Sequence, residues 1–298
     1  FLQLIIASLS NIFQDMSMQT INFVSALRQQ VQAARQAGKT IAFVPTMGNL
    51  HEGHLSLIDE AKRHADFIVA SIFVNPMQFG EHEDLDAYPR TLQADSDALE
   101  VRGCDVLFAP TASEVYPNGL AEETRVDVPS LGQYHCGASR PGHFVGVATV
   151  VTKLFNMVQA DVAVFGEKDF QQLAVIRKMV KDLCIPTKII GLPTSREDSG
   201  LARSSRNGYL SQEQKQTASK IRLILQDCKH QLETGNRNFD ALSSSARERL
   251  DQAGFKTDYF NIAKPDTLEP ADASDQTFVV LLAAYLGSTR LIDNITVN

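Results

Sequence analysis

Residues 43–58 read Phe-Val-Pro-Thr-Met-Gly-Asn-Leu-His-Glu-Gly-His-Leu-Ser-Leu-Ile. The apolar stretch Thr40 to Val44 predicts a strand, and Pro45 and Gly48 predict a tight turn after it. His51 and His54 then flank Gly53, where an amphipathic helix runs to about His64. Strand, turn, His-x-Gly-His and helix suit a nucleotide site. Backbone N–H groups at a helix start attract phosphate, and imidazoles add donors that follow developing negative charge. Gly53, having no Cβ, is expected to leave room for the nucleotide against the backbone. The element points to ATP, although a plain turn with two surface histidines fits the same residues.

Two other motifs fail on spacing. A zinc protease needs His-Glu-x-x-His, and His51-Glu52-Gly53-His54 is one residue short. Gly48 to Gly53 has the glycine spacing of a P-loop, but His54-Leu55 stands where Lys-Ser/Thr would be required.

The chain of 298 residues carries a formal net charge of −7 and is 44% hydrophobic. That length predicts two unequal domains, and that charge argues against general nucleic-acid or anionic-membrane binding. Cys104, Cys136, Cys184 and Cys228 form no Cys-x-x-Cys pair and read as free thiols in a reducing cytoplasm. Phe1 to Phe13 is apolar but too short to span a bilayer, and no basic residue precedes Arg28. Residues 1–17 are expected to be an extension outside the fold.

Helical spacing over Ile21 to Ala37 is followed by the Thr40–Val44 strand and the histidine helix. Phe67 to Val74 is a continuous apolar run, as in a strand buried on both faces of a parallel sheet. Helices are predicted over Thr91–Arg102, Gly146–Val158 and Phe170–Leu183, with strands at Asp105–Ala109, Val162–Phe165 and Thr187–Gly191. The alternation predicts an α/β fold with a doubly wound, Rossmann-like parallel sheet over residues 18–193, binding ligands at the carboxyl ends of its strands. The polar loop Pro193 to Asn207 marks the expected boundary. Ser211 then caps a long helix to about Leu232, and a second runs from Asp240 to Ala253. Strands at Asp258–Ile262, Thr277–Ala284 and Arg290–Val297 complete a smaller C-terminal α+β domain, 194–298.

Three more clusters look like site material. Asn75 and Gln78, after a buried strand, are placed to hydrogen-bond a small polar substrate, or simply form a polar turn. Gly166-Glu167-Lys168-Asp169 opens a helix carrying Gln171 and Gln172, which suits phosphate, though Asp169 also fits an N-cap. Ser204-Ser205-Arg206-Asn207 lies on a long loop, and hydroxyls beside a guanidinium suit a triphosphate.

Together these pieces resemble the pantothenate synthetase (pantoate–β-alanine ligase) family. The resemblance rests on Pro-Thr-Met-Gly-Asn-Leu-His-Glu-Gly-His (45–54), Phe-Val-Asn-Pro-Met-Gln-Phe (73–79) and Tyr-Pro-Arg-Thr (88–91). It rests also on Arg-Pro-Gly-His-Phe (140–144), Phe-Gly-Glu-Lys-Asp-Phe-Gln-Gln-Leu (165–173) and Ser-Ser-Arg-Asn (204–207). Order and spacing match from about Met18 onward, whereas His-x-Gly-His alone marks a wider nucleotidyl-transferase superfamily.

The resemblance implies ATP-dependent joining of (R)-pantoate and β-alanine through a pantoyl-adenylate, with magnesium on the phosphates, in a cytoplasmic homodimer. It implies ATP binding by Met47, Gly48, Asn49, Leu50, His51, Glu52, Gly53 and His54, with His54 as proton donor or charge stabiliser. Gly166, Glu167, Lys168, Asp169, Ser195, Arg203, Ser204, Ser205 and Arg206 complete that set, Lys168 and Arg206 acting with His51 and His54 in catalysis. Gln78 and Gln172 would hold pantoate, Gln78 would also lie near β-alanine, and Asp95 is the carboxylate expected near the metal. Arg203 stands where the family commonly has Met, and Ser195 where Val is usual; both are expected to act through the backbone. The rival readings are another nucleotidyltransferase, a tRNA synthetase and a silent nucleotide-binding module.

Overall fold

A computed structural model describes residues 17–80, 83 and 85–298; the expected extension, apart from Ser17, lies outside the described residues. Among these, six parallel strands form one sheet: β1 (Gln19–Ile21), β2 (Ile41–Thr46), β3 (Phe67–Ile72), β4 (Val106–Phe108), β5 (Val162–Gly166) and β6 (Lys188–Leu192). Their spatial order is β1-β4-β3-β2-β5-β6. Side chains alternate across the sheet, and both faces are apolar. Ile41, Phe43, Val69, Phe108 and Phe165 pack on one side, and Ala42, Val44, Ala70, Leu107 and Val164 on the other. This is why the strands read as unbroken apolar runs. Each large side chain so buried contributes roughly 1.5–3 kcal/mol.

The direction of winding places the site. From β2 the chain steps to β3 and β4, with the helices Glu52–Ala61 and Leu92–Val101 packed on one face. On the other side of β2 it steps from β5 to β6, with the helix Phe170–Asp182 on the opposite face. Crossovers of one hand running in opposite directions must cover opposite faces. The connections therefore part at β2 and β5, opening a crevice at their carboxyl ends.

Beyond Leu192 the chain forms the helices Gln212–Glu233 and Phe239–Gln252 and a three-stranded antiparallel sheet, β7 (Lys256–Ala263), β8 (Phe278–Leu286) and β9 (Thr289–Val297). Ser211 caps the first helix in a reciprocal capping box with Gln214. One face of this sheet packs on those helices through Phe260, Val280 and Leu282; the other joins the main core through Tyr259, Val279 and Leu281. β8 is thus covered on both sides, and only Tyr285 along it is exposed.

Two regions differ from the expectation. Gln19–Ile21 is an edge strand held by β4 alone, and the first helix begins only at Val24, whose N–H donates to the Glu114 carboxylate at 2.8 Å. Three residues are too few to show a strand period, so only the pairing partner reveals them. Between β4 and β5, short helices at Ala112–Val115, Pro129–Gly132 and His135–Ser139 line the approach to the helix His143–Val158.

That last helix meets the turn after β3 without room for a side chain. A Cβ on Gly146 would lie 2.5 Å from the Met77 carbonyl oxygen and 2.7 Å from the Gln78 Cα. Gly146→Ala must move one element or the other, and is expected to lower stability by about 1–3 kcal/mol, as overpacking does. Urea unfolding measures it.

Candidate active site

The turn after β2 is built on a buried carboxylate. Gly48 and Asn49 both adopt left-handed conformations (φ 83° and 51°), which glycine and asparagine tolerate. The N–H groups of Asn49 and Leu50 then both point at Asp95, whose two oxygens accept them at 2.8 Å each. The Thr91 hydroxyl adds a third bond at 3.1 Å, and Asp95 is 3% exposed. Asp95, the carboxylate expected near a metal, bonds the backbone of this turn and acts as its clamp.

His51 is the N-cap of the next helix, and its ring folds back so that Nδ1 accepts the Gly53 N–H at 3.1 Å. The His51 N–H donates in turn to His54 Nδ1 at 3.3 Å, and the rings stack 4.1 Å apart. A ring nitrogen that accepts an N–H carries no proton, so both neutral imidazoles hold theirs on Nε2. A Cβ on Gly53 would lie 2.9 Å from the His51 ring, so the glycine makes room for the cap.

Burial first, then the Lys168 and Arg203 charges, lowers His51 to about 4; burial, His51 and Lys168 lower His54 to about 3. The free protein thus presents two neutral Nε2–H donors beside fixed cations.

The turn after β5 comes next. Gly166 ends the strand, Glu167–Asp169 form a 3-10 turn, and Asn294 of β9 donates to the Glu167 and Lys168 carbonyls at 2.9 Å each. Asp169 occupies the N-cap position of the following helix without bonding to it. Gln171 is structural: it accepts the Cys136 N–H and donates to the Leu131 and Tyr134 carbonyls.

After β3, Gln78 is 8% exposed and donates from Nε2 to Met47 Sδ at 3.3 Å. Asn75, a suggested substrate contact, is instead 1% exposed and saturated: it donates to Gln78 Oε1 and the Gly146 carbonyl and accepts the Tyr116 hydroxyl at 2.6 Å.

The loop Ser204–Arg206 reaches back to the first turn. The Ser205 hydroxyl donates to the Asn49 carbonyl at 3.0 Å, and Asn49 Nδ2 donates to the Ser205 carbonyl at 3.3 Å. The two unusual residues are also joined, the Arg203 N–H donating to the Ser195 carbonyl at 2.9 Å.

A cavity of about 910 Å³ brings together Gln78, Lys168, Asp169, Gln172, Ser204 and Arg206. The Met47–His54 turn borders it without lining it, meeting it where Met47 touches Gln78. Gly166, Glu167, Ser195, Arg203 and Ser205 likewise lie outside the lining. The reading of single residues missed Arg140 and His143, which do line it, although Arg-Pro-Gly-His-Phe was itself a visible motif.

The fold and the crevice define a nucleotide-dependent α/β enzyme of the His-x-Gly-His type. The family model for pantoate-beta-alanine ligase matches residues 19–296, and the chain belongs to that family. It is 58% identical to pantothenate synthetase of Hahella chejuensis, over 94% of this chain and 99% of that one. It is 59% identical to pantothenate synthetase of Pseudomonas entomophila, over 93% and 97%. Among solved structures, pantothenate synthetase from Thermus thermophilus superposes with a TM-score of 0.87 at 43% identity, over 93% of this chain and 99% of that one. A pantoate-beta-alanine ligase from Francisella tularensis, complexed with beta-gamma ATP and beta-alanine, gives 0.77 at 36% identity, over 94% and 97%.

Two outcomes follow from the geometry. Asp95→Ala removes an acceptor from two half-buried N–H groups and is expected to cost about 2–4 kcal/mol in stability, hydrogen bonds to charged groups being worth roughly 1.5–3 kcal/mol each. If Asp95 is a clamp, the magnesium concentration giving half-maximal activity stays unchanged in this variant. The histidines titrate lower folded than unfolded, so the unfolded chain binds more protons below the ordinary value of 6.5. Their contribution to stability is complete above about 6.5 and is lost as pH falls toward 4. Urea midpoints between pH 7 and pH 4.5 should fall less for His51→Gln/His54→Gln than for the wild type.

Proposed function

We propose that this site condenses (R)-pantoate with β-alanine in two steps, through a pantoyl-adenylate. The observation that carries this reading is the convergence of two glutamines, Gln78 and Gln172, with Lys168 and Arg206 in one cavity at a strand-end crevice. A phosphate-acceptor nucleotidyltransferase has no comparable use for the paired amides.

A carboxylate resists amine attack because its leaving group would be oxide. In the first step the pantoate carboxylate oxygen attacks the α-phosphorus of ATP, and the bond to pyrophosphate breaks. In the second, the β-alanine amine attacks the activated carbonyl carbon, the C–O bond to AMP breaks, and the nitrogen loses a proton. No enzyme nucleophile is needed. Gln78 and Gln172 orient pantoate, and Gln78 also lies near β-alanine. Lys168, Ser204, Ser205 and Arg206 neutralise the phosphates, while Gly166, Glu167 and Asp169 form the nucleotide's strand-end seat. The neutral Nε2–H groups of His51 and His54 donate to phosphate oxygens as their charge grows, a contribution that positioned donors make in low-dielectric sites. Ser195 and Arg203 act through the backbone bond that joins them.

Magnesium bound to the triphosphate would offset its charge. With Asp95 bonded to the backbone, phosphate oxygens and water would supply the ion's main ligands, as suits a cation that dehydrates reluctantly. We place the enzyme in the cytoplasm as a homodimer. Its cysteines are free thiols, and among the described residues no helix is long and apolar enough to cross a membrane. A sedimentation mass of two chains checks the assembly.

Pantoate labelled with ¹⁸O in its carboxylate tests the chemistry. Attack through that oxygen must leave one label in AMP, read by mass spectrometry after turnover with ATP and β-alanine. Label-free AMP would overturn the adenylate.

A further inference from the structure

Gln78 is held from both ends, and the second hold has no role in the chemistry above. The main-chain carbonyl of Gln78 lies 2.8 Å from His143 Nδ1, and His143 Nε2 lies 3.0 Å from Arg140 Nη1. A guanidinium has no acceptor, so Nε2 must offer its lone pair and the imidazole proton must sit on Nδ1. His143 therefore donates to Gln78. Its tautomer is the opposite of the one found in His51 and His54.

Arg140 is itself fixed. Its Nε donates to Glu83 at 2.6 Å, its Nη2 pairs with the other oxygen of that carboxylate, and a long contact of 3.5 Å reaches the Gln78 carbonyl. The chain of contacts runs from Glu83 through Arg140 and His143 to the backbone of Gln78. Glu83, Arg140, His143 and Gln78 all line the cavity. On its other side the Gln78 amide is bounded by Asn75 and Met47. The turn Pro76–Gln78 is a single 3-10 turn, so its carbonyl direction is set by such bonds rather than by a regular element.

We propose that His143 is a positioning residue that sets the Gln78 backbone, and with it the reach of the Gln78 amide into the pantoate and β-alanine subsite, its tautomer dictated by the Glu83–Arg140 pair. This rests on the reading of Gln78 as a substrate residue.

The charged and titratable groups that face the ring are Arg140, which opposes its protonation, and Glu83 and Asp169, which favour it. Burial comes first among the influences and, with Arg140, holds His143 near 4, so the donating tautomer persists at neutral pH. Protonation would put a second cation against Arg140 and remove its acceptor.

His143→Phe keeps the ring volume and deletes the donor. His143→Asn keeps a donor near the Nδ1 position and loses only the acceptor toward Arg140. Steady-state kinetics should show the pantoate KM of His143→Phe raised roughly tenfold, the effect of one buried hydrogen bond. ATP affinity and Tm should stay near wild type, and His143→Asn should recover most of the pantoate KM. Imidazole ¹⁵N shifts should report protonated Nδ1 and unprotonated Nε2 in the wild type. A pantoate KM within twofold of wild type in His143→Phe would overturn the proposal, as would equal losses in the two His143 variants. Gln78→Ala separates the two levels. If it spares pantoate binding, the substrate reading falls and this inference with it; if it impairs binding while His143→Phe does not, only the inference falls.

Discussion

The carboxylate of Asp95 is the constraint on which the rest of the site depends. A turn with two consecutive left-handed residues leaves adjacent N–H groups pointing the same way, into the protein. Asp95 accepts both, and a buried acceptor bearing charge makes each bond stronger than a neutral one. With the turn fixed, the Asn49 backbone and side chain are presented to Ser205, which joins the loop after β6 to the end of β2. The direction of entry also brings His51 to its helix-capping position. The same acidic group therefore sets the histidines and the docking of the serine-arginine loop.

Electrostatics divides the site into two kinds of donor. Lys168 and Arg206 are permanent cations lining the cavity. His51 and His54 are neutral, kept so by burial and by the Lys168 charge. A protein with a formal net charge of −7 thus places cations at this cavity. Neutral donors beside the cations can follow a developing charge without adding to the repulsion among them. His143, with its proton on the other nitrogen, belongs to a separate network with Glu83, Arg140 and the Gln78 backbone. One residue type serves both networks, and the hydrogen-bond partner decides the tautomer.

Much of this was legible in the chain. The central strands were visible because β2, β3 and β5 carry apolar side chains on both faces, and the crevice followed from where the helices alternate. The cap at Ser211 was legible because it is local. The internal bonding of Asp95 and Asn75 was not legible, for one shared reason: each looked like a polar group beside a ligand site. Burial and saturation, which depend on Thr91, Tyr116 and Gly146 closing around them, turned them into scaffold. β1 was invisible because three residues take their structure from β4.

The sequence by itself determined the doubly wound sheet, the strand-end turns and the family, since periodicity, turn chemistry and motif spacing are properties of short stretches of chain. Tertiary structure alone decided which polar groups remain available to a ligand. It spent Asp95, Asn75 and Gln171 on partners within the protein and placed Gln78, Lys168 and Gln172 at the cavity. The physical reason is that a buried polar group must find a partner, and its partners here lie as far as 71 residues away in the chain.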